Sequence, residues 1–339
     1  MAGIGVKLNN IYGKNTLTTD VIGMGYSTVM TIAPMLTVIG ALCIMEYFLD
    51  FSSVGYVTRE LFSCTVLYIF IFALLTASPF NSVLSKYMSD VIYEETYADI
   101  MACYYVGLFL NILLSSLVGI PFCIHEYLVG KVDIIYVCGF IALVFVFYSM
   151  LYLSICKDYK KISFFFIIGM AVTVLLSFWF VRGLHKSITY SMLLALTIGF
   201  WLIAALEFSV VRSYFRENSG NYRAVFGYFK EYWPLVATNF LYTLGLYIHN
   251  FVFWTTDLRM IVVCSFVCVQ PYDMATCLAM FTNISASVIF ISRVEMHFHE
   301  RYKAYSEAVI GGRGCDIEIT KKRMFRMLAE ELMSLARVQ

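Results

Sequence analysis

The sequence predicts an all-α integral membrane protein, and three observations support this fold class. Charged residues make up only 14% of the 339 residues, whereas soluble domains contain about 25%. The mean hydropathy is +0.77. Apolar runs of about 20 residues, enough to cross about 30 Å of hydrocarbon as a helix, recur along the chain. Lipid is therefore the expected solvent for most of the surface.

Eight apolar runs are predicted to be membrane-spanning helices, the last of them being the shortest. They are residues 26–48, 62–80, 100–124, 134–156, 162–181, 188–211, 233–255 and 274–291. A further run, residues 260–269, is too short to cross the membrane. It is expected either to lie in the interface or to fold back as a re-entrant segment.

The distribution of basic residues predicts the orientation of these spans. When the N-terminus is placed inside, the inner segments hold 19 of the 24 Lys and Arg residues and the outer loops hold five. Cytoplasmic loops of membrane proteins are enriched in Lys and Arg. Both termini are therefore predicted to be cytoplasmic.

The longest inner connection predicts the domain organisation. Residues 212–232 contain the turn sequence Asn-Ser-Gly-Asn and follow the sixth span. We therefore expect a first six-span lobe at residues 26–211, a cytoplasmic linker at 212–232 and a partial second lobe of two spans at 233–291. Residues 292–339 are charged and helical in pattern, and the glycines between 311 and 314 divide them into two cytoplasmic amphipathic helices.

Residues 1–25 are predicted to be retained as an N-terminal interfacial helix. Ile4, Leu8 and Ile11 recur at helical spacing. The apolar run that follows is longer than that of a leader, and no small-residue cleavage site ends it. A disordered tail is the alternative.

The last predicted helix carries an apolar stripe that could dock a partner. Its polar face holds Lys322, Arg326 and Glu330, opposite the stripe. The candidate docking residues are Met324, Phe325, Leu328, Leu332 and Leu335.

Ionisable side chains inside the spans are costly and are therefore candidates for a substrate path. Glu46 lies near the outer end of the first span, Glu207 toward the inner end of the sixth and His249 in the outer part of the seventh. Each also has a structural interpretation: Glu46 reaching the interface, Glu207 pairing with Arg212 or Lys230, and His249 as a satisfied core histidine.

Polar residues of the seventh span extend this candidate path. Asn239, Thr243 and Asn250 suit a wet cavity that binds sugar hydroxyls, and they equally suit hydrogen bonds between helices. Pro34 lies well inside the first span and removes one helical hydrogen bond, so it is a candidate hinge.

The sequence indicates neither an enzyme nor a cofactor or metal site. It has no GxxxxGK[ST] and no HExxH motif, and its inner loops are too short for a soluble catalytic domain. Ten cysteines are dispersed, and the closest pair, Cys264 and Cys268, has no His or carboxylate nearby in the sequence. We therefore expect the cysteines to be small apolar packing residues.

The stretches at residues 1–10, 84–95 and 271–309 resemble one protein family, the Pel exopolysaccharide transporter family, PelG. The opening "MAGIGVKLNN" is similar to the start of that family, with Val6 and Lys7 in place of an aromatic and an acidic residue. "PYDMATCLAMFTNISASVIFISRVEMHFHERYKAYSEAV" resembles its Tyr-Asp entry to a span, followed by Arg-x-Glu. "LSKYMSDVIYEE", after the second span, is a weaker match. Together they cover both ends of the chain in the right order.

This resemblance implies a fold and a function. The fold is that of the multidrug/oligosaccharidyl-lipid/polysaccharide (MOP) flippase superfamily, which is MATE-like, with two six-helix lobes that open alternately to each side. The function is export of a cationic, partly deacetylated amino-sugar polymer across the inner membrane of a bacterium. Family members work with a cytosolic glycosyltransferase and with membrane partners. About twelve spans are usual, so four of the second lobe are expected to be missing from this chain.

Several functions stay open on the sequence. The first is a subunit that exports the exopolysaccharide. The second is a flippase for another lipid-linked sugar or a small molecule, and the third is a non-transporting scaffold that docks a glycosyltransferase. An integral-membrane enzyme is the remaining alternative.

Overall fold

A computed structural model of the chain describes residues 17–130, 135–156, 158–276, 278–279 and 296–338. The helices are α1 (Leu17–Phe48), α2 (Tyr56–Tyr93), α3 (Ala98–His125), α4 (Ile135–Ile155), α5 (Tyr159–Arg182), α6 (Ile188–Tyr214), α7 (Tyr222–Glu231), α8 (Trp233–Trp254), α9 (Met296–Gly311) and α10 (Gly314–Val338). A 3₁₀ turn (Phe51–Ser53) and a π-helical segment (Glu126–Gly130) complete the helical structure, and residues 270–276 are also helical.

The helical, membrane-embedded fold class is confirmed. Four helices of the described chain are long and apolar enough to span a membrane: Tyr56–Tyr93, Ala98–Leu128, Lys160–Arg182 and Ile188–Tyr214. Two shorter apolar helices, Ile32–Phe48 and Cys138–Ser154, match the first and fourth predicted spans. The seventh predicted span forms α8, and the eighth lies largely outside the described residues. The count of eight spans therefore stays a prediction.

The short apolar run at 260–269 forms a β-hairpin. Strand β1 (Met260–Val263) pairs antiparallel with β2 (Phe266–Cys268), and the register places Met260 opposite Cys268. Neither interpretation of this run from the sequence foresaw paired strands. The β-branched residues Ile261, Val262, Val263 and Val267 suit extended strands, and the hairpin pairs backbone groups of one strand with those of the other.

The chain divides into two compact units. Among the described residues, those within 36–155 and 161–273 form one unit, and those within 17–35, 156–160 and 274–338 form the other. In the larger unit α4 packs between α6 and α2, and α2 packs against α8. Close packing of α5 on α6 depends on Gly199, since a Cβ there would overlap the Thr173 hydroxyl.

In the smaller unit, α9 and α10 pack against each other. The first of them ends at Gly311 and the second begins at Gly314, the glycines at which the sequence predicts a break. The predicted interfacial residues Ile4, Leu8 and Ile11 lie outside the described residues.

Contacts in the larger unit group the loops as the sequence predicts. Residues of two predicted outer loops meet, because Ser265 lies beside His125. Residues of two predicted inner segments also meet, because the Tyr228 hydroxyl donates to Asp90. The grouping agrees with the predicted alternation of the spans. Which end faces the cytoplasm stays a prediction.

Candidate functional site

Helices α2 and α8 run antiparallel and define a cleft with two different ends. Near the start of α2, Tyr68 lies 4.7 Å from Trp254 at the end of α8, measured between ring centroids. Phe72 and Phe251 follow at 5.9 Å. Farther along α2, the Asn239 amide donates a hydrogen bond to the Ser78 carbonyl oxygen. Contacts therefore close the cleft from Tyr68 to Ser78.

The hairpin seals the first end of the cleft. The buried Phe266 ring stacks on Tyr68 at 5.5 Å, and Phe122 of α3 contacts Phe266 edge-on at 5.6 Å. The Tyr68 hydroxyl donates to the Val267 carbonyl oxygen at 2.7 Å and lies 3.1 Å from the Val267 N–H. We call this end, formed by Tyr68, Trp254 and Phe266, the sealed end.

Polar bonds fasten the segment after the hairpin to both helices. Gln270 donates to the buried Glu60 carboxylate of α2 at 3.1 Å. Asn250 of α8 donates to one Asp273 carboxylate oxygen at 2.9 Å, and the Val269 N–H donates to the other at 2.9 Å. Asp273 is part of the Tyr-Asp pair noted in the sequence, so this pair has a local anchoring role here.

The other end of the cleft is an open polar groove of about 600 Å³. Its walls come from the second half of α2, from the start of α8 and from one residue of α4. The lining residues are Asn81, Ser82, Ser85, Lys86, Ser89, Leu151, Leu235 and Asn239. We call this cavity the serine groove.

Two polar side chains that line the serine groove, Asn81 and Ser89, make few hydrogen bonds to other side chains in the described chain. The Asn81 side-chain oxygen is buried and has no hydrogen-bond partner in the described chain. The Ser89 hydroxyl donates only to a carbonyl of its own helix, at Ser85, 2.9 Å away. An amide oxygen without a partner and hydroxyl oxygens that can still accept hydrogen bonds suit ordered water or sugar hydroxyls.

The rim of the groove combines a charge pair with tyrosine rings. Lys86 pairs with Asp90 at 3.0 Å, and its ammonium lies 4.9 Å from the centroid of the Tyr232 ring. The Tyr228 hydroxyl donates to the same carboxylate at 3.2 Å. Burial raises the pKa of Tyr228, and the hydrogen bond to Asp90 raises it further. The Tyr228 hydroxyl is therefore protonated at neutral pH and can donate this bond.

The candidate residues of α8 divide between the two ends. Asn239 lines the serine groove, and the Thr243 hydroxyl donates to the Asn239 carbonyl at 3.0 Å. His249 contacts the Tyr272 ring at 5.7 Å, and Asn250 is bonded to Asp273. These last two residues belong to the structure around the hairpin.

The two candidate carboxylates lie in different surroundings. Glu46 is exposed on α1. Glu207 is fully buried on α6, and no described side chain, Arg212 and Lys230 included, hydrogen-bonds to either of its carboxylate oxygens. Neither carboxylate is among the residues that line the serine groove.

Next to Glu207 on α6, Phe208 contacts a buried tyrosine cluster between α3 and α4, with its ring 5.8 Å from that of Tyr104. The Tyr104 and Ser149 hydroxyls lie 2.9 Å apart, and Tyr148 donates to the Tyr104 carbonyl at 2.6 Å. Gly107 makes this approach feasible, since a Cβ there would overlap the Tyr148 hydroxyl. The cluster is a structural hydrogen-bonded core.

The remaining candidates lie in the helices that the sequence predicted for them. Helix α1 continues through Pro34. On α10, Phe325 and Leu332 are about half exposed, Met324 and Leu328 are partly buried, and the side chain of Leu335 lies outside the described part of the structure.

Sequence reasoning missed most of the serine groove. Ser78, Ser82, Ser85 and Ser89 recur every three to four residues along one face of an apolar helix. This polar stripe was the available signal. Whether such a stripe lines a groove or packs against another helix depends on the helix opposite it, which the sequence does not identify.

The chain matches one family model. The model for PelG, described as "Putative exopolysaccharide Exporter (EPS-E)", matches residues 1–339. No curated protein and no solved structure matches the chain.

Proposed function

Because this chain belongs to the PelG family of exopolysaccharide exporters, we propose that it is a subunit that exports a cationic, Pel-type amino-sugar exopolysaccharide. The export step crosses the cytoplasmic membrane of a bacterium. The family is one of exporters and not of enzymes, and the chain is a multi-pass membrane protein.

The observation that carries this proposal is the asymmetric cleft between α2 and α8. In the domain organisation expected from the sequence, α2 belongs to the first lobe and α8 to the second. A cleft between two lobes that is sealed at one end and open at the other is the arrangement that alternating access requires. We propose that the serine groove is the inward-facing part of the substrate path.

The groove suits a sugar chain by its chemistry. Asn81, Ser82 and Ser85 offer amide and hydroxyl groups to sugar hydroxyls, and the Tyr232 ring borders the rim. Pairing with Asp90 neutralises Lys86. A polymer with amino groups therefore meets little net charge at the groove, and aromatic faces attract its cations.

Export requires that the sealed end open. In an alternating-access cycle α8 and the hairpin separate from α2 around Tyr68. In a polymer conduit the same contacts act as a gate that stays open while the chain passes. In both mechanisms a cytosolic glycosyltransferase supplies polymer at the groove, and membrane partners receive it on the other side.

One observation favours a second function, a scaffold for that glycosyltransferase. Helix α10 exposes Phe325 and Leu332 beside basic residues such as Arg326. An amphipathic helix that exposes apolar side chains at the predicted cytoplasmic end suits docking of a soluble protein.

The test uses a strain lacking this gene, complemented with variants of this chain, and measures secreted amino-sugar polymer. Ser85→Trp fills the serine groove and is expected to reduce secretion at least about tenfold, because the polymer path is blocked. Ser63→Trp is the matched control, since Ser63 is exposed near the start of the same helix, away from the groove. Membrane levels of both variants are measured in parallel.

Two further variants separate export from scaffolding. Asn239→Ala is expected to impair an exporter more than Phe325→Ser does, and a scaffold predicts the opposite ranking. If Ser85→Trp secretes polymer at the level of Ser63→Trp, the groove is not the path and the proposal fails.

A further inference from the structure

The tip of the hairpin lies against the end of α3. The Ser265 hydroxyl, in the turn between β1 and β2, lies 3.4 Å from His125 Nδ1 at the last residue of α3. Cys264 precedes Ser265 and has a φ of 48°, in the left-handed region that non-glycine residues seldom adopt. The turn therefore holds a thiol next to an imidazole from a distant part of the chain.

Three metal-binding side chains meet at this point. One ligand atom each from His125, Glu126 and Cys264 lies within 4.8 Å of the others. Imidazole, carboxylate and thiolate are the three protein ligands of Zn²⁺ and related borderline metals. The sequence separates Cys264 from the other two by well over a hundred residues, so it gave no indication of the cluster.

A second observation, the surroundings of the Glu126 carboxylate, also favours binding of a cation at this point. The Glu126 side chain is only 1% exposed. One of its oxygens lies 3.2 Å from His125 Nδ1, and the other is buried with no hydrogen-bond partner in the described chain. A buried carboxylate oxygen without a partner is costly, and a bound cation is one way to satisfy it.

We propose that His125, Glu126 and Cys264 form a binding site for a divalent transition metal ion of the Zn²⁺ type. The ion fastens the hairpin to the end of α3. This proposal does not depend on the proposed export function, because it rests only on the positions of these three side chains and on the burial of Glu126.

The ligand set selects the class of metal. A thiolate favours Zn²⁺ over Mg²⁺ and Ca²⁺, which prefer sites made entirely of oxygen ligands. Zinc takes imidazole nitrogen and carboxylate oxygen at about 2.0–2.2 Å and thiolate at about 2.3 Å, in a tetrahedral arrangement. The three ligand atoms lie within 4.8 Å of one another, so binding of the ion draws them closer together. Water completes the fourth position.

The experiment uses the full chain in detergent, without a polyhistidine tag, stripped with a chelator and then titrated with Zn²⁺ alone. A competing fluorescent zinc indicator reports the affinity. The wild-type chain is expected to bind about one equivalent, and Cys264→Ser and His125→Ala are expected to weaken binding at least about tenfold. Cys315→Ser, which removes an exposed cysteine of α10, is the matched control and is expected to bind as the wild type does.

A spectroscopic measurement identifies the ligand directly. Co²⁺ in place of Zn²⁺ gives a near-ultraviolet absorption band when a thiolate is bound to it. This band is expected in the wild type and in Cys315→Ser and is expected to be lost in Cys264→Ser. Equal Zn²⁺ affinity in the wild type and Cys264→Ser, or no binding by the wild type at micromolar Zn²⁺, overturns the proposal. His125→Ala removes an exposed side chain and is expected to leave the fold intact. Weaker Zn²⁺ binding by this variant therefore reports the loss of a ligand and not misfolding.

Discussion

The two ends of the cleft between α2 and α8 show how one pair of helices supports two different surfaces. At the sealed end the opposing residues are large rings, and Tyr68, Trp254 and Phe266 fill the space between the backbones. At the serine groove the opposing residues are small or polar, and an open volume of about 600 Å³ remains. Large aromatic side chains, together with the hairpin that carries Phe266, therefore distinguish the closed end from the open one.

The two ends also differ in how firmly they are held. At the sealed end the hairpin bonds to the Tyr68 side chain, and Gln270 of the segment after the hairpin bonds to Glu60. At the groove, the described residues make chiefly local hydrogen bonds, such as that from Ser89 to Ser85. A gate needs a defined closed state, whereas a path for successive sugars needs groups that exchange partners. The difference between the ends suits these two roles.

The largest effect on stability is expected from removing the Tyr68 ring at the sealed end. Tyr68→Ala removes a buried ring and its bonds to Val267, and it is expected to lower the free energy of unfolding by about 3–5 kcal/mol. Tyr93→Ala, at the other end of the same helix, removes a ring that is 90% exposed and is expected to change it by about 0.5 kcal/mol or less. Thermal unfolding in detergent compares the two. Equal unfolding temperatures would show that the aromatic contacts do not hold the hairpin.

An intermediate effect is expected for access of solvent to the two ends. A Cys placed at Ser85 in the groove is expected to react with a membrane-impermeant maleimide at least about tenfold faster than a Cys at Thr65, which is fully buried. Peptide-resolved mass spectrometry on inside-out vesicles measures both rates. The buried native Cys64 serves as an internal standard. Comparable rates at the two positions would contradict the asymmetry of the cleft.

The smallest effect is expected at the rim of the groove. Asp90→Asn breaks the pair with Lys86, but both side chains are 36% exposed, and exposed ion pairs contribute little to stability. The unfolding temperature is expected to change by about 1 °C or less. Polymer secretion, measured beside that of Ser85→Trp, is expected to fall much less. A loss as large as that caused by Ser85→Trp would place Asp90 within the path itself.

Helix positions were predictable because each apolar run carries its own signal. The start of α6 at Ile188 matches the predicted span, and the break between α9 and α10 lies at the predicted glycines. The hairpin was not predictable in this way. Residues 260–269 form a short apolar run whose pattern does not separate a strand from an interfacial helix. Their environment is defined by contacts with the distant residue Tyr68.

The candidate site was predictable only in part. Asn239 was identified because a polar residue in an apolar span is conspicuous, and it lines the serine groove. Glu207 was conspicuous for the same reason, yet it lies apart from the groove near the tyrosine cluster. A single span shows that a polar residue is present. It does not show which helix faces that residue.

The sequence by itself determined the solvent of this protein, the positions of most helices and the family, because these depend on local composition and on motifs along the chain. Only the tertiary structure decided which residues face each other. It brought Cys264 to His125, opposed α2 to α8, and left one end of their cleft open. The physical reason is that burial and cavity volume belong to pairs of surfaces, and the pairing of distant surfaces is not written in any one segment.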